Sequence, residues 1–305
     1  KTIAIHHGES FSDETGCLMP PIFATSTFEH GNKANFDYTR SGNPNFSILE
    51  NVLKGIENSN YCTVFNSGIS AVTAIVSSLK SGDTILCESN LYGCTIRMFE
   101  KIFRKFGIQT SYFDFTNKEY IQQISKVKPS LIWLESPTNP LLKILNIKEI
   151  CSEANSRKIP VVVDNTFCTA VIQRPLELGA TLSLISTTKF INGHSDALGG
   201  AVITNDESWN NKMIFSQKSL GLNPSPFDCW LITRGLKTLP LRIAEQTKNA
   251  HFIANELNSH KLIDQLIYPF NKNHPQFELA KSQMKIGGSM ITLKLKLNKN
   301  DTFDF

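Results

Sequence analysis

In Ser186-Thr187-Thr188-Lys189, an amine follows three hydroxyl side chains directly after the apolar run 181–185. A lysine in such a place can form a Schiff base with a carbonyl compound, although most lysines are simply solvated surface residues. Other residue types in the chain bear on the choice. Asp164 ends the apolar run 161–163, and a carboxylate buried there needs a cation such as a protonated ring nitrogen. Its plainer use is as a helix cap. Gly68 and Ile69 open a helical stretch after Asn66-Ser67, so their N–H groups and the positive end of the helix dipole can hold an anion. The hydroxyls of Ser186 and Thr188 can add donors to the same anion. Tyr92 can lay its ring on a flat heterocycle, a contact worth about 0.5–1.5 kcal/mol beyond area burial, or can belong to the core. Anion cup, ring-nitrogen carboxylate and Schiff-base amine together describe pyridoxal phosphate.

The elements that carry these residues follow a regular alternation. Strands are expected at 61–65, 84–87, 109–113, 131–134, 161–163, 181–185 and 200–203, with helices at 69–79, 95–106, 118–127 and 147–156 between them. The alternation predicts an α/β domain on a largely parallel sheet, whose ligand site lies outside the carboxyl ends of the strands. Ser67-Gly68, the segment Glu135 to Asn139, Asp164-Asn165 and the segment Ser186 to Lys189 all follow strands, so four polar clusters converge on one rim. Residues 1–45 read as an extended arm that carries Asp37-Tyr38-Thr39-Arg40, where a planar guanidinium suits phosphate or carboxylate. Residues 46–239 form the large cofactor-binding domain. Helices at 207–219 and 241–258 and a strand at 290–297 lead into a smaller α+β domain, 240–305, with the boundary near Leu239-Pro240.

Composition excludes several classes. Hydrophobic residues at 41% and charged residues at 19% describe an ordinary globular protein, and a net charge of +4 without a basic tract gives no reason to expect nucleic acid. No apolar run approaches the roughly 18 residues of a membrane span. Seven cysteines without a Cys-x-x-Cys pair fit free thiols in a reducing, cytoplasmic setting. Adjacent His6 and His7 cannot act as a helical i, i+4 metal pair, and no metal is expected. The absence of Gly-x-Gly-x-x-Gly argues against a classical dinucleotide site. The chain starts at Lys1 without methionine and stops soon after a strand-like run, so the small domain is expected to be incomplete.

Six ordered motifs carry a resemblance. They are Tyr38-Thr39-Arg40-Ser41-Gly42-Asn43-Pro44, Asn66-Ser67-Gly68, Leu91-Tyr92-Gly93-Cys94-Thr95, Glu135-Ser136-Pro137-Thr138-Asn139-Pro140, Asp164-Asn165-Thr166-Phe167, and Ser186-Thr187-Thr188-Lys189 with Gly193-His194-Ser195-Asp196. The chain resembles the cystathionine γ-synthase, cystathionine lyase and methionine γ-lyase family of pyridoxal-phosphate enzymes over essentially its whole length. The resemblance implies an aspartate-aminotransferase-like fold (fold type I) in a homotetramer of two tight dimers, with active sites shared across the dimer interface. It implies that Lys189 carries the cofactor as a Schiff base, Asp164 pairs with the ring nitrogen, and Tyr92 stacks on the ring and assists as an acid or base. Gly68, Ile69, Ser186 and Thr188 would hold the phosphate, with Asn139 near the ring hydroxyl and the substrate. Tyr38 and Arg40 would reach a neighbouring subunit's phosphate.

Asp37 before Tyr38 resembles γ-synthases, where an acid there lies near the substrate's amino end. Cys94 resembles methionine γ-lyases, whereas Arg97 looks more like the synthases and cystathionine γ-lyases. The favoured expectation is γ-replacement of an activated homoserine ester by cysteine, giving cystathionine in methionine biosynthesis. The alternatives are a cystathionine or methionine lyase, or a non-catalytic cofactor-binding subunit, because the family's substrate-carboxylate arginine lies further along than Phe305.

Overall fold

Strands that are apolar at nearly every position need cover on both faces. In the computed structural model, which describes residues 2–7, 16–297 and 301–302, seven strands form one sheet, mostly such apolar runs, with the polar 109–113 strand at one edge. They are β1 (Tyr61–Phe65), β2 (Thr84–Glu88), β3 (Gln109–Phe113), β4 (Leu131–Glu135), β5 (Val161–Asp164), β6 (Leu182–Ile185) and β7 (Gly200–Thr204), in the order β1-β7-β6-β5-β4-β2-β3. Pairings from β3 through β2, β4 and β5 to β6 are parallel. β7 runs antiparallel to both β6 and β1. Two reversals restore β1 to the direction of the parallel set, so the carboxyl ends of β1, β2, β4, β5 and β6 share one rim.

The helices are α1 (Ile3–His6), α2 (Pro44–Glu57), α3 (Gly68–Val76), α4 (Gly93–Lys101), α5 (Tyr120–Val127), α6 (Ile147–Ser156), α7 (Thr169–Ile172), α8 (Glu207–Ser219), α9 (Pro226–Leu236), α10 (Leu239–Leu257) and α11 (Phe277–Gln283). Side chains alternate across the sheet. Ile85, Cys87, Leu131 and Trp133 join a cluster with Val72 and Ile75 of α3, Phe99 of α4 and Met213 of α8. Leu86, Ile132 and Leu134 face the other way onto Ile124 of α5 and Ile150 of α6. Further along, Val64, Ile185 and Ile203 pack on Leu49 and Leu53 of α2, Ile232 of α9 and Ile243 of α10.

Several expectations differ in detail. The helix expected over 95–106 stops at Lys101 and continues as a 3-10 turn at Phe103–Phe106, closed by Gly107 at φ 84°. α2 begins where Asn43 caps the N–H of Asn45 and Pro44 occupies the first turn, and ends where Asn58 turns left-handed. β8 (Ile263–Ile267) pairs antiparallel with β9 (Thr292–Leu295) as a separate ribbon, shorter than the strand expected at 290–297. Within the arm, Thr27 bridges Tyr38, while residues 8–15, the side chain of His6, residues 298–300 and residues 303–305 lie outside the described set. Among the described residues no helix is long and apolar enough to cross a membrane.

Candidate active site

At the end of β1 the chain turns directly into α3. Ser67 is extended, and its hydroxyl oxygen accepts the N–H of Ser70 at 3.1 Å, capping the helix. The first N–H groups of a helix have no acceptor inside it, which leaves those of Gly68 and Ile69 facing the rim. A Cβ on Gly68 would lie 2.8 Å from Ser186 Cβ, closer than real side chains come. Glycine here lets the start of α3 press against the turn that follows β6. Gly200 permits a second close approach, because a Cβ there would lie 2.3 Å from the Ser67 carbonyl oxygen.

The turn after β6 presents Lys189. The Ser186 N–H donates to the Thr166 hydroxyl oxygen at 2.9 Å, and the Gly193 N–H donates to the Lys189 carbonyl at 2.8 Å. Thr188 exchanges bonds with Gly199 through its hydroxyl and its backbone N–H. The Lys189 side chain is exposed, and its amine has no hydrogen bond or ion pair among the described residues. The turn is therefore fixed while its amine is free.

Two carboxylates stand side by side at the ends of neighbouring strands, since Glu135 of β4 is in register with Asp164 of β5. Asp164 accepts the Thr166 N–H at 3.0 Å, and burial holds its pKa above the usual carboxylate range. Glu135 accepts the Tyr92 N–H at 2.8 Å and also that of Asn139; burial and then the charge of Asp164 push it well up. No cationic side chain is paired with either group among the described residues. Glu135 was part of a strand-end cluster in the sequence but had no role there. Its hold on the Tyr92 loop depends on the pairing of β2 with β4, which spacing alone does not reveal.

Tyr92 caps α4 with its side chain 44% exposed at the rim. A hydrogen bond with Cys94 and then burial raise its phenol pKa, against the charge of Arg97. Arg97 Nη1 also donates to Cys94 Sγ at 3.6 Å, so tyrosine, thiol and guanidinium form one group on the first turn of α4. Asn139 sits in the loop after β4, where the bonds before Pro137 and Pro140 are both cis.

A continuous series of contacts thus joins Gly68, Ser186, Thr166, Asp164, Glu135 and Tyr92, with Lys189 on the turn between them. Tyr38, Arg40 and Asp37 are not part of it. Arg40 donates to the Lys218 carbonyl at 2.9 Å and lies over the Tyr38 ring at 5.5 Å. With Ala24, Ser26, Asn223 and Pro226 they line an open hollow of about 310 Å³. Asp37 is exposed, and its carboxylate has no partner among the described residues.

The residues present fit pyridoxal phosphate. Helix-end donors with a glycine in contact with a serine suit its phosphate, a half-buried carboxylate without a cation suits its ring nitrogen, and an unpartnered lysine amine suits its aldehyde.

Comparison with known proteins agrees in kind. The sequence profile described as Cys/Met metabolism PLP-dependent enzyme matches residues 1–305. The chain is 40% identical over 298 residues to a probable cystathionine γ-synthase of Herpetosiphon aurantiacus, covering 97% of this chain and 93% of that protein. It is equally 40% identical over 299 residues to a cystathionine γ-lyase of Dictyostelium discoideum, covering 97% of this chain and 77% of that one. A crystal structure of cystathionine γ-synthase from Xanthomonas oryzae pv. oryzae, in complex with aminoacrylate and cysteine, superposes with a TM-score of 0.95 at 34% identity, covering 99% of this chain and 79% of that one.

Proposed function

The chain belongs to the Cys/Met metabolism PLP-dependent enzyme family, and we propose that within it the chain is of cystathionine γ-synthase type. On this reading it replaces the γ substituent of an activated homoserine ester by cysteine, giving cystathionine in methionine biosynthesis. As a family member it is an enzyme of C–S chemistry that uses pyridoxal phosphate.

The observation that carries the synthase reading is Asp37. A replacement reaction must hold two amino acids, and an exposed carboxylate without a partner, adjoining Tyr38 on the arm, suits an ammonium group. The arm would serve the active site of a second copy, in a cytoplasmic homotetramer; seven cysteines without a Cys-x-x-Cys pair support a reducing compartment.

When bound, pyridoxal phosphate withdraws electrons from the substrate Cα and makes its proton removable. Lys189 would hold the cofactor and then use its amine to carry protons between substrate carbons. Asp164 would keep the ring nitrogen charged, Gly68, Ile69, Ser186 and Thr188 would grip the phosphate, and Tyr92 and Asn139 would fix the ring. The grouping of Cys94 with Tyr92 favours the second reading, a lyase, because a thiol beside the phenol alters the acid available for elimination.

A product assay separates the two. With O-succinyl-, O-acetyl- or O-phosphohomoserine plus cysteine the protein makes cystathionine. Release of keto acid and ammonia from cystathionine, with no synthesis, reverses the order.

A further inference from the structure

We infer that Arg242, at the start of α10, is a positioning residue that sets Lys189 by clamping the turn behind it. Its Nη1 donates to the Phe190 carbonyl at 2.7 Å, and its Nη2 to the carbonyls of Ile191 at 3.1 Å and Gly235 at 2.9 Å. Nε donates to the Thr238 hydroxyl at 3.0 Å. The guanidinium is half-buried and has no carboxylate partner among the described residues, so its donors serve backbone oxygens. Phe190 and Ile191 are the two residues directly after Lys189.

Two glycines make this clamp possible. Gly193 adopts φ +75°, and a Cβ there would lie 2.0 Å from Arg242 Nη1. A Cβ on Gly235 would lie 2.3 Å from the Asn192 carbonyl oxygen. The turn is therefore enclosed by α9 on one side and the guanidinium on the other, while the Gly193 N–H holds the Lys189 carbonyl. A planar fork can satisfy several diverging carbonyls at once; a lysine ammonium offers a single point. The arrangement links the first turn of α10 to the height and direction of the Lys189 amine, and the inference rests on the reading of Lys189 as the cofactor lysine.

The test is Arg242→Lys in the holoenzyme. Amide hydrogen exchange at Asn192 and Gly193 should accelerate about tenfold, as local opening becomes easier. In the synthase assay kcat should fall about 10- to 100-fold with KM within about threefold, because a misplaced catalytic group costs rate more than binding. The pH midpoint of the cofactor absorbance should shift. Wild-type exchange together with wild-type kcat would overturn the inference. If Arg242→Lys does not fold, Thr238→Val removes the Nε acceptor together with the hydroxyl's bond to the Gly235 carbonyl: faster exchange at the same two amides supports the clamp, and unchanged exchange and kcat refute it. Borohydride trapping of the cofactor on a lysine other than Lys189 sinks the lysine reading instead, and the exchange data then still report on the clamp by themselves.

Discussion

Glu57, at the end of α2, is buried, with the side chains of Asn165 and Ser183 near its carboxyl group but in no well-formed hydrogen bond. Burial pushes its pKa up to about 8, with the nearby Arg174 guanidinium only partly opposing. The native state therefore keeps a proton that the unfolded chain has already released above about pH 4.5. Between these values stability falls as pH rises, by up to about 1.4 kcal/mol per pH unit, and levels off above about pH 8. Glu57→Gln should remove that slope, so its urea midpoint relative to wild type climbs from pH 5.5 to pH 8; parallel curves would contradict the burial argument. At this scale the sequence was informative where chemistry is local. Lys189 after hydroxyls and Asp164 after an apolar run are legible because strand ends in a parallel sheet point at the ligand. Glu57 and Glu135 are not, because their surroundings come from residues distant in sequence.

The elements explain which residues meet. The alternation of short apolar runs with helices made the strands β1 to β6 readable, and it placed their carboxyl ends on one rim. It did not show that β7 is antiparallel on both sides, and that pairing is what brings β1, and so Gly68, beside Ser186. α9 and β8 are not legible in that alternation. α9 lies between the Pro224 turn and Pro240 with a weak apolar stripe, and β8, Ile-Asp-Gln-Leu-Ile, lacks the polar–apolar alternation of a half-buried strand. The packing of α3 on the β6 turn predicts the effect of Gly68→Ala. The added methyl has no room against Ser186 and must push the helix start away, so cofactor affinity should drop about 10- to 100-fold in an equilibrium binding titration, with the overall fold kept. Unchanged affinity would place the phosphate elsewhere.

At the scale of the whole molecule, the Asp37-to-Arg40 segment of the arm stands apart from the strand-end series, although the arm is tied to the chain through Pro20, Phe23 and Arg40. Arg40 and Tyr38 line a hollow beside α9 instead of joining the strand-end series, and Asp37 faces solvent. If each arm completes a second copy's site, one subunit can lose Lys189 and its neighbour Arg40 and still leave one intact site between them. Mixing inactive Lys189→Ala with inactive Arg40→Ala protein under subunit exchange should therefore restore cystathionine formation. No recovery despite demonstrated exchange would mean that the arm acts within its own chain. The large domain also depends on α10, whose first turn packs Leu239 and Ile243 into the sheet's covering layer and carries Arg242 to the Lys189 turn. The boundary proposed near Leu239-Pro240 thus falls on a helix that serves both parts.

The strand-end series converges on one amine, that of Lys189. Reduction of the pyridoxal-phosphate-loaded protein with borohydride, followed by peptide mapping, reads the attachment point directly. A single phosphopyridoxyl adduct on Lys189 is expected, absent from Lys189→Ala, which also loses turnover by at least about 10²–10⁴-fold while keeping its assembly. An adduct on any other lysine, or full activity in Lys189→Ala, would contradict the assignment of Lys189.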